Sequence, residues 1–388
     1  MHKSNYGDII LSFAAFFQIA VLMFQELLTS SNIVTHESSR VACIIVSAIP
    51  MIIAVNYIIA RRLKLFLITY MISILIILLT LLIYPENSKY IIPGTFNILF
   101  VNIPSLLCLA SIRSNDILKR ILLYLSFLIL TLGMIYLSLL WIGKIKFLNY
   151  SMTFSYYLLL PSLVFVSQKK IIFTFLFLSV CFIMLMLGSR GALVTSLIYA
   201  FLLLFIDRET SKNIIFTSLI LVLVIISGSF LSFFLKLSDN MAVSSRTMDL
   251  LLSGDITEDT GRLGIFSIIW NSILTKPFVG YGIFGDRVIL DGIYCHNFLL
   301  EILCNFGILF GATFILLLLF VIIKSFTSSD SANKKLLLML LCYTFVPLMV
   351  SLSYLEFPQF GIFVGFLLSL SRNNSDNLFK KISLEQNY

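Results

Sequence analysis

Residues 297–323 read NFLLEILCNFGILFGATFILLLLFVII, and this stretch decides the fold class. Beyond Glu301 the run carries no charge. At ~1.5 Å per residue, a helix of this length more than crosses the ~30 Å hydrocarbon layer of a bilayer. A helix apolar on every face over such a length belongs in lipid.

Runs of the same kind recur at 9–27, 41–60, 65–84, 91–112, 121–142, 147–167, 171–187, 192–206, 213–235, 336–354 and 359–371. Of the 388 residues, 59% are hydrophobic and 12% charged, against ~45–50% and ~25% in soluble domains. That composition excludes a soluble enzyme, a disordered chain and a secreted disulfide scaffold. The expected fold class is all-α: a polytopic integral membrane protein with about 12 transmembrane helices. Residues 1–388 form a single transmembrane domain, with one large external (periplasmic) loop at 236–296.

The net charge of +8 reflects basic residues lying between the apolar runs, so it reads as topology rather than as a nucleic-acid partner. With the N-terminus inside, Arg61, Arg62, Lys64, Arg113, Lys119, Arg120, Lys169, Lys170, Lys334 and Lys335 gather on the cytoplasmic side. The opposite short segments hold fewer: Arg40, Lys89, Lys144, Lys146 and Arg190. Both termini are thus expected in the cytoplasm. The turn at 188–191, the loop at 236–296 and the turn at 355–358 then face outward. The first run lacks a small-residue cleavage site and reads as a span, not a leader. The scattered cysteines form neither a CxxC nor a zinc pattern, and no disulfide framework is expected.

Chemistry is expected in the outer segments. Asp259 or Thr260 offers an N-cap for an amphipathic helix from Arg262 to Leu274, with Ile265, Ile268, Ile269 and Ile273 at helical spacing. Lys276-Pro277 stops it, and its place is on or near the outer membrane surface. Gly280 to Gly285 spells G-x-G-x-x-G. Without a preceding strand or room for a βαβ unit it is a glycine-permitted loop, not a dinucleotide site. No cofactor is expected. His296 stands at the head of span ten, as a general base or as a boundary histidine anchoring the span. Asn297, Glu301 and Asn305 follow on one helical face. Such a stripe serves inter-helix hydrogen bonds or a functional group facing a wet cavity. Arg190, Arg246, Arg262 and Arg287 lie on the outer side. They bind phosphate, snorkel, or pair with Asp239, Asp249, Asp255 and Asp286. With no DxD cluster and no His/Cys ligand set, no metal is implied.

Taken in order, three motifs resemble the bacterial O-antigen polymerase and O-antigen ligase family. They are Leu187-Gly188-Ser189-Arg190-Gly191-Ala192; Thr260-Gly261-Arg262 through Trp270 to Lys276-Pro277-Phe278-x-Gly280-x-Gly282; and His296-Asn297-x-x-Leu300-Glu301 to Gly307. The resemblance implies inverting, metal-independent glycosyl transfer at the outer face of the bacterial inner membrane, from a glycan on undecaprenyl pyrophosphate. By residue match, Arg190 and Arg262 would contact the pyrophosphate, and His296 would activate the acceptor hydroxyl. Arg246, Arg287, Asn297 and Glu301 are substrate-binding candidates. The Ser189-Arg190-Gly191 form and the strongly apolar chain look more like the polymerases. The alternative is a ligase acting on lipid A–core. An alternative of another class is a lipid-linked oligosaccharide flippase, which predicts charged mid-span residues around a central cavity. Lipid-linked oligosaccharides and membrane lipid are the implied partners, with a chain-length regulator and a flippase expected by resemblance.

Overall fold

The computed structural model of the protein describes residues 2–145, 152–187, 189–207, 209–215 and 261–385. Among these residues there is no strand. The helices are α1 (His2–Ser30), α2 (His36–Ile83), α3 (Ser88–Asn97), α4 (Ile103–Ser111), α5 (Asn115–Trp141), α6 (Met152–Val166), α7 (Ile171–Met186), α8 (Arg190–Ile206), α9 (Arg262–Thr275), α10 (Gly285–Ile289), α11 (Phe298–Ser328), α12 (Ser331–Val350) and α13 (Gln359–Glu385). Among the described residues, α1, α2, α5, α11, α12 and the continuous rod 85–111 that contains α3 and α4 are six helical segments long and apolar enough to cross a membrane. The protein is therefore an all-α, multi-pass membrane protein.

Every expected span except the ninth falls on one of these helices; most of 213–235 lies outside the described residues. Three of the helices are short: α6, α7 and α8 have 15, 16 and 17 residues, below the ~20 of a typical crossing, where the runs read were 147–167, 171–187 and 192–206. Spans two and three are one 48-residue element, broken where Arg62 leaves helical geometry (φ −146°, ψ 39°). The fourth is a continuous rod in which a π-helical turn, Ile98–Asn102, joins α3 to α4. The tenth is not a straight helix, because Gly307 (φ 73°, ψ 172°) interrupts α11.

The described residues fall into two compact units. In the first (residues 1–15, 51–115 and 259–388), α13 packs on α4 through small residues. A methyl group on Gly361 would stand 2.5 Å from the Asn102 carbonyl oxygen, and one on Gly365 only 2.1 Å from that of Leu106. Ser369 extends the stripe, its hydroxyl donating to Ile112 O at 3.0 Å. Small residues four apart let two backbones approach where lipid offers no hydrophobic drive to association. A buried ion pair, Asp8–Arg61, closes one end of this unit. The Asp8 carboxylate also accepts from the backbone N–H groups of Arg113 and Ser114, both at 3.1 Å.

In the second unit (residues 16–50 and 116–258) α6 packs against α7 and α8. Ser162 and Ser196 share a buried hydroxyl–hydroxyl bond of 2.7 Å, and Tyr136 stacks on Phe154 at 4.1 Å. Leu187 and Ser189 flank the break between α7 and α8; Gly188 lies outside the described residues.

Gly365→Val is expected to destabilise the protein by ~1–3 kcal/mol or more through overpacking, read as a lower melting temperature in detergent. Gly264→Ala, where an added methyl meets nothing within 4 Å, should leave melting unchanged. Equal melting of both variants would remove the α4–α13 contact from the stability of the fold.

Candidate active site

The site is built in the first unit, from α9 to the head of α11 and the turn after α12. Helix α9 begins at Arg262, and the residue before it is Gly261 in left-handed geometry (φ 78°), without a side-chain cap. The expected cap residues, Asp259 and Thr260, lie outside the described residues. Lys276 ends the helix as expected. Ile269 and Ile273 are fully buried in a cluster with Cys295 and Cys304, which seats α9 on the start of α11. Arg262 is half-buried at the exposed end of α9 and forms no ion pair among the described residues.

The glycine loop returns the chain from α9 to α10. Gly307 leaves the Cys304 and Asn305 carbonyls without helical donors, and the loop supplies them. Tyr281 N donates to Cys304 O at 2.8 Å and Gly282 N to Asn305 O at 2.9 Å. Gly280 must be glycine, since it has φ 70° and an added methyl would lie 2.5 Å from Cys304 O. Tyr84 and Asn87 pin the other side, donating to the carbonyls of Gly280 (2.8 Å), Tyr281 (2.8 Å) and Ile283 (3.0 Å).

This docking delivers Asp286 and Arg287 into the interior. Arg287 is 2% exposed. Its Nη1 donates to both Asp286 oxygens and to Glu301 Oε1, each at 2.7 Å. Its Nη2 donates to Ser353 Oγ at 2.6 Å and Glu356 Oε1 at 3.2 Å. Ser353 Oγ in turn donates to Glu301 Oε1 at 2.6 Å. The Phe284 and Tyr294 rings lie 5.1 and 5.4 Å from the guanidinium carbon. Burial works against the guanidinium charge, yet Asp286, Glu301 and Glu356 hold its pKa above the ordinary value. A buried cation needs such company, because an unpaired ion in the interior costs several kcal/mol.

Beside this hub stands His296, in left-handed geometry (φ 54°) that a non-glycine residue rarely adopts. Its ring lies 4.1 Å from that of Tyr294, whose hydroxyl donates to Ser351 O at 2.6 Å. Its Nδ1 is buried and has no hydrogen-bond partner among the described residues. Burial lowers the imidazole pKa below its ordinary value, and the Arg262 guanidinium lowers it further. His296 is thus neutral at pH 7 and able to take a proton.

Asn297 caps α11, its Oδ1 accepting from Leu299 N (3.0 Å) and Leu300 N (3.1 Å). Asn305 is buried and donates to Tyr354 Oη at 2.9 Å. Arg190 opens α8 in the second unit, and Arg246 lies outside the described residues. The structure therefore gathers Arg262, Arg287, His296, Asn297 and Glu301 in one unit. Ser353, Glu356 and Tyr294 were not singled out in the sequence. Their one signal is indirect: an intramembrane Glu301 requires partners.

Residues 172–316 match the family model described as O-antigen ligase. That segment runs from α7 through α8 and α9 into α11, and it contains all three motifs. The match supports the O-antigen ligase and polymerase family, whose members are membrane glycosyltransferase-like enzymes of surface polysaccharide biosynthesis. No curated protein matches the chain.

Arg287→Leu leaves Asp286 and Glu301 buried without a cation, and should cost ~3–5 kcal/mol. The check is the yield and melting temperature of detergent-purified protein. Ser353→Ala, which removes one hydroxyl, should cost less, ~1–3 kcal/mol.

Proposed function

We propose that the chain is an O-antigen (surface polysaccharide) polymerase. It joins undecaprenyl-pyrophosphate-linked oligosaccharide repeat units at the periplasmic face of the inner membrane, with both termini in the cytoplasm. The observation that carries this reading is a neutral, backbone-strained His296 set beside an Arg262 that has no carboxylate partner among the described residues, inside the family-matched segment.

The reaction is inverting and metal-independent. The acceptor sugar hydroxyl attacks the anomeric carbon of the donor, its proton passes to His296, and the bond from that carbon to the pyrophosphate oxygen breaks. Arg262, at the positive end of α9, stabilises the charge growing on the leaving pyrophosphate. Arg190 is proposed as a further catalytic residue from its sequence motif, and Arg246 as substrate-binding from its place in the expected outer loop. Arg287, Glu301 and Asn297 contribute to substrate binding by holding the wall on which the sugar rests. A chain-length regulator and a flippase are proposed partners. The description of the matching family favours a second reading, a ligase with the same chemistry but lipid A–core as acceptor.

In cells lacking the gene, His296→Ala or Arg262→Ala is expected to insert normally but leave surface glycan as single repeat units on a gel. Wild-type chain lengths in both variants would sink the assignment. Long lipid-linked polymer not joined to core would instead establish the ligase.

In reconstituted protein, His296 must be unprotonated to act, so activity should be level above pH 7. It should fall only below the ordinary histidine value of about 6.5. Because Arg262 helps to lower the His296 pKa, Arg262→Gln should move that acid limb to higher pH in its residual activity. An acid limb unmoved by the substitution would separate the two residues.

A further inference from the structure

The carboxylates around Arg287 differ in exposure. Asp286 and Glu301 side chains are 0% and 1% exposed, while that of Glu356 is 35% exposed. One oxygen of Glu356 is held by Arg287 at 3.2 Å, and the other makes no hydrogen bond among the described residues. Within the hub, Glu301 Oε2 and Arg287 Nε are buried and likewise unpartnered among those residues. Among the hub's carboxylates Glu356 is thus the partly exposed one, with an oxygen left for a ligand.

Charge narrows the ligand. Three carboxylates surround one guanidinium, so the rim is electronegative and repels phosphate. It suits a neutral group rich in O–H donors, because hydroxyl-to-carboxylate bonds are short and strong. Position narrows it further. Glu356 contacts Arg287, Arg287 lies 5.4 Å from the Tyr294 ring, and that ring lies 4.1 Å from His296.

We propose that Glu356 is a sugar-binding residue, its free carboxylate oxygen accepting a hydrogen bond from a hydroxyl of the lipid-linked glycan. This rests on the proposed function and adds a contact to those of His296 and Arg262. Arg287 acts as the positioning residue that fixes the carboxylate, and Ser353 links Arg287 to Glu301.

The test is binding rather than turnover, with full-length chain in nanodiscs and two probes. One is undecaprenyl pyrophosphate. The other is the same lipid carrying the repeat unit, extracted from cells lacking the chain. Glu356→Gln keeps an oxygen for Arg287 but loses the charge. It should weaken binding of the glycosylated lipid about tenfold and leave undecaprenyl pyrophosphate binding unchanged, which also shows that the variant is folded. Arg262→Gln should weaken both. Unchanged affinity of Glu356→Gln for the glycosylated lipid, or an equal loss for both lipids, would overturn the proposal. Wild-type protein that shows this discrimination yet makes no polymer would refute the polymerase reading and keep the sugar contact.

Discussion

The arrangement depends on one buried charge. A guanidinium that is 2% exposed in the loop before a membrane helix is tolerable only if its neighbours restore what water provided. Arg287 draws those neighbours from three places: Asp286 beside it in the chain, Glu301 on α11, and Ser353 with Glu356 on the turn after α12. Meeting the demand of that single cation fixes the start of α11 and the end of α12 to the loop between α9 and α11. His296 lies on that same loop. Its left-handed backbone costs of order 1–3 kcal/mol, and it persists because the segments on either side are held by Arg287 and by the Asn297 cap.

A second constraint is backbone hydrogen bonding where water is scarce. Breaking a membrane helix at Gly307 frees carbonyls that lipid cannot satisfy. The loop after α9 answers with its own N–H groups, and Ile308 N bonds back to Pro277 O at 2.5 Å. The exchange needs close contact of main chain with main chain. The glycines of a dinucleotide fingerprint therefore serve here for approach between two protein segments rather than to a phosphate.

Much of the fold was legible because hydrophobic length is written locally. The spans, the Lys276-Pro277 stop and the separation of α7 from α8 follow from composition and punctuation. Other features were hidden for physical reasons. Gly307 looks no different in sequence from Gly311 four residues on, and only the docking of residues 280–282 distinguishes them. The sequence placed Arg287 among the substrate-binding candidates, with pairing to an acid such as Asp286 among the open alternatives. That pairing is what Arg287 does, because α10 turns it inward. Ser353 and Glu356 sit over fifty residues from Glu301, and no local spacing predicts their meeting.

The contrast between Arg287 and Arg262 shows how the site can divide a bipolar substrate. A cation surrounded by carboxylates offers a phosphate no net attraction, however well placed its nitrogens are. A cation at a helix N-terminus, half-exposed and without a carboxylate at hand among the described residues, keeps its field intact. The same contrast runs in reverse for hydroxyl groups, which gain most from an oriented carboxylate such as Glu356. A lipid-linked glycan has both ends: a pyrophosphate at the membrane and sugars projecting from it. On the proposed function, a cation on α9 with no carboxylate partner among the described residues and an acid on the turn after α12, with His296 beside the hub, would give each part of such a molecule its own kind of partner. The recognition then comes less from the number of charges than from which of them the fold has already neutralised.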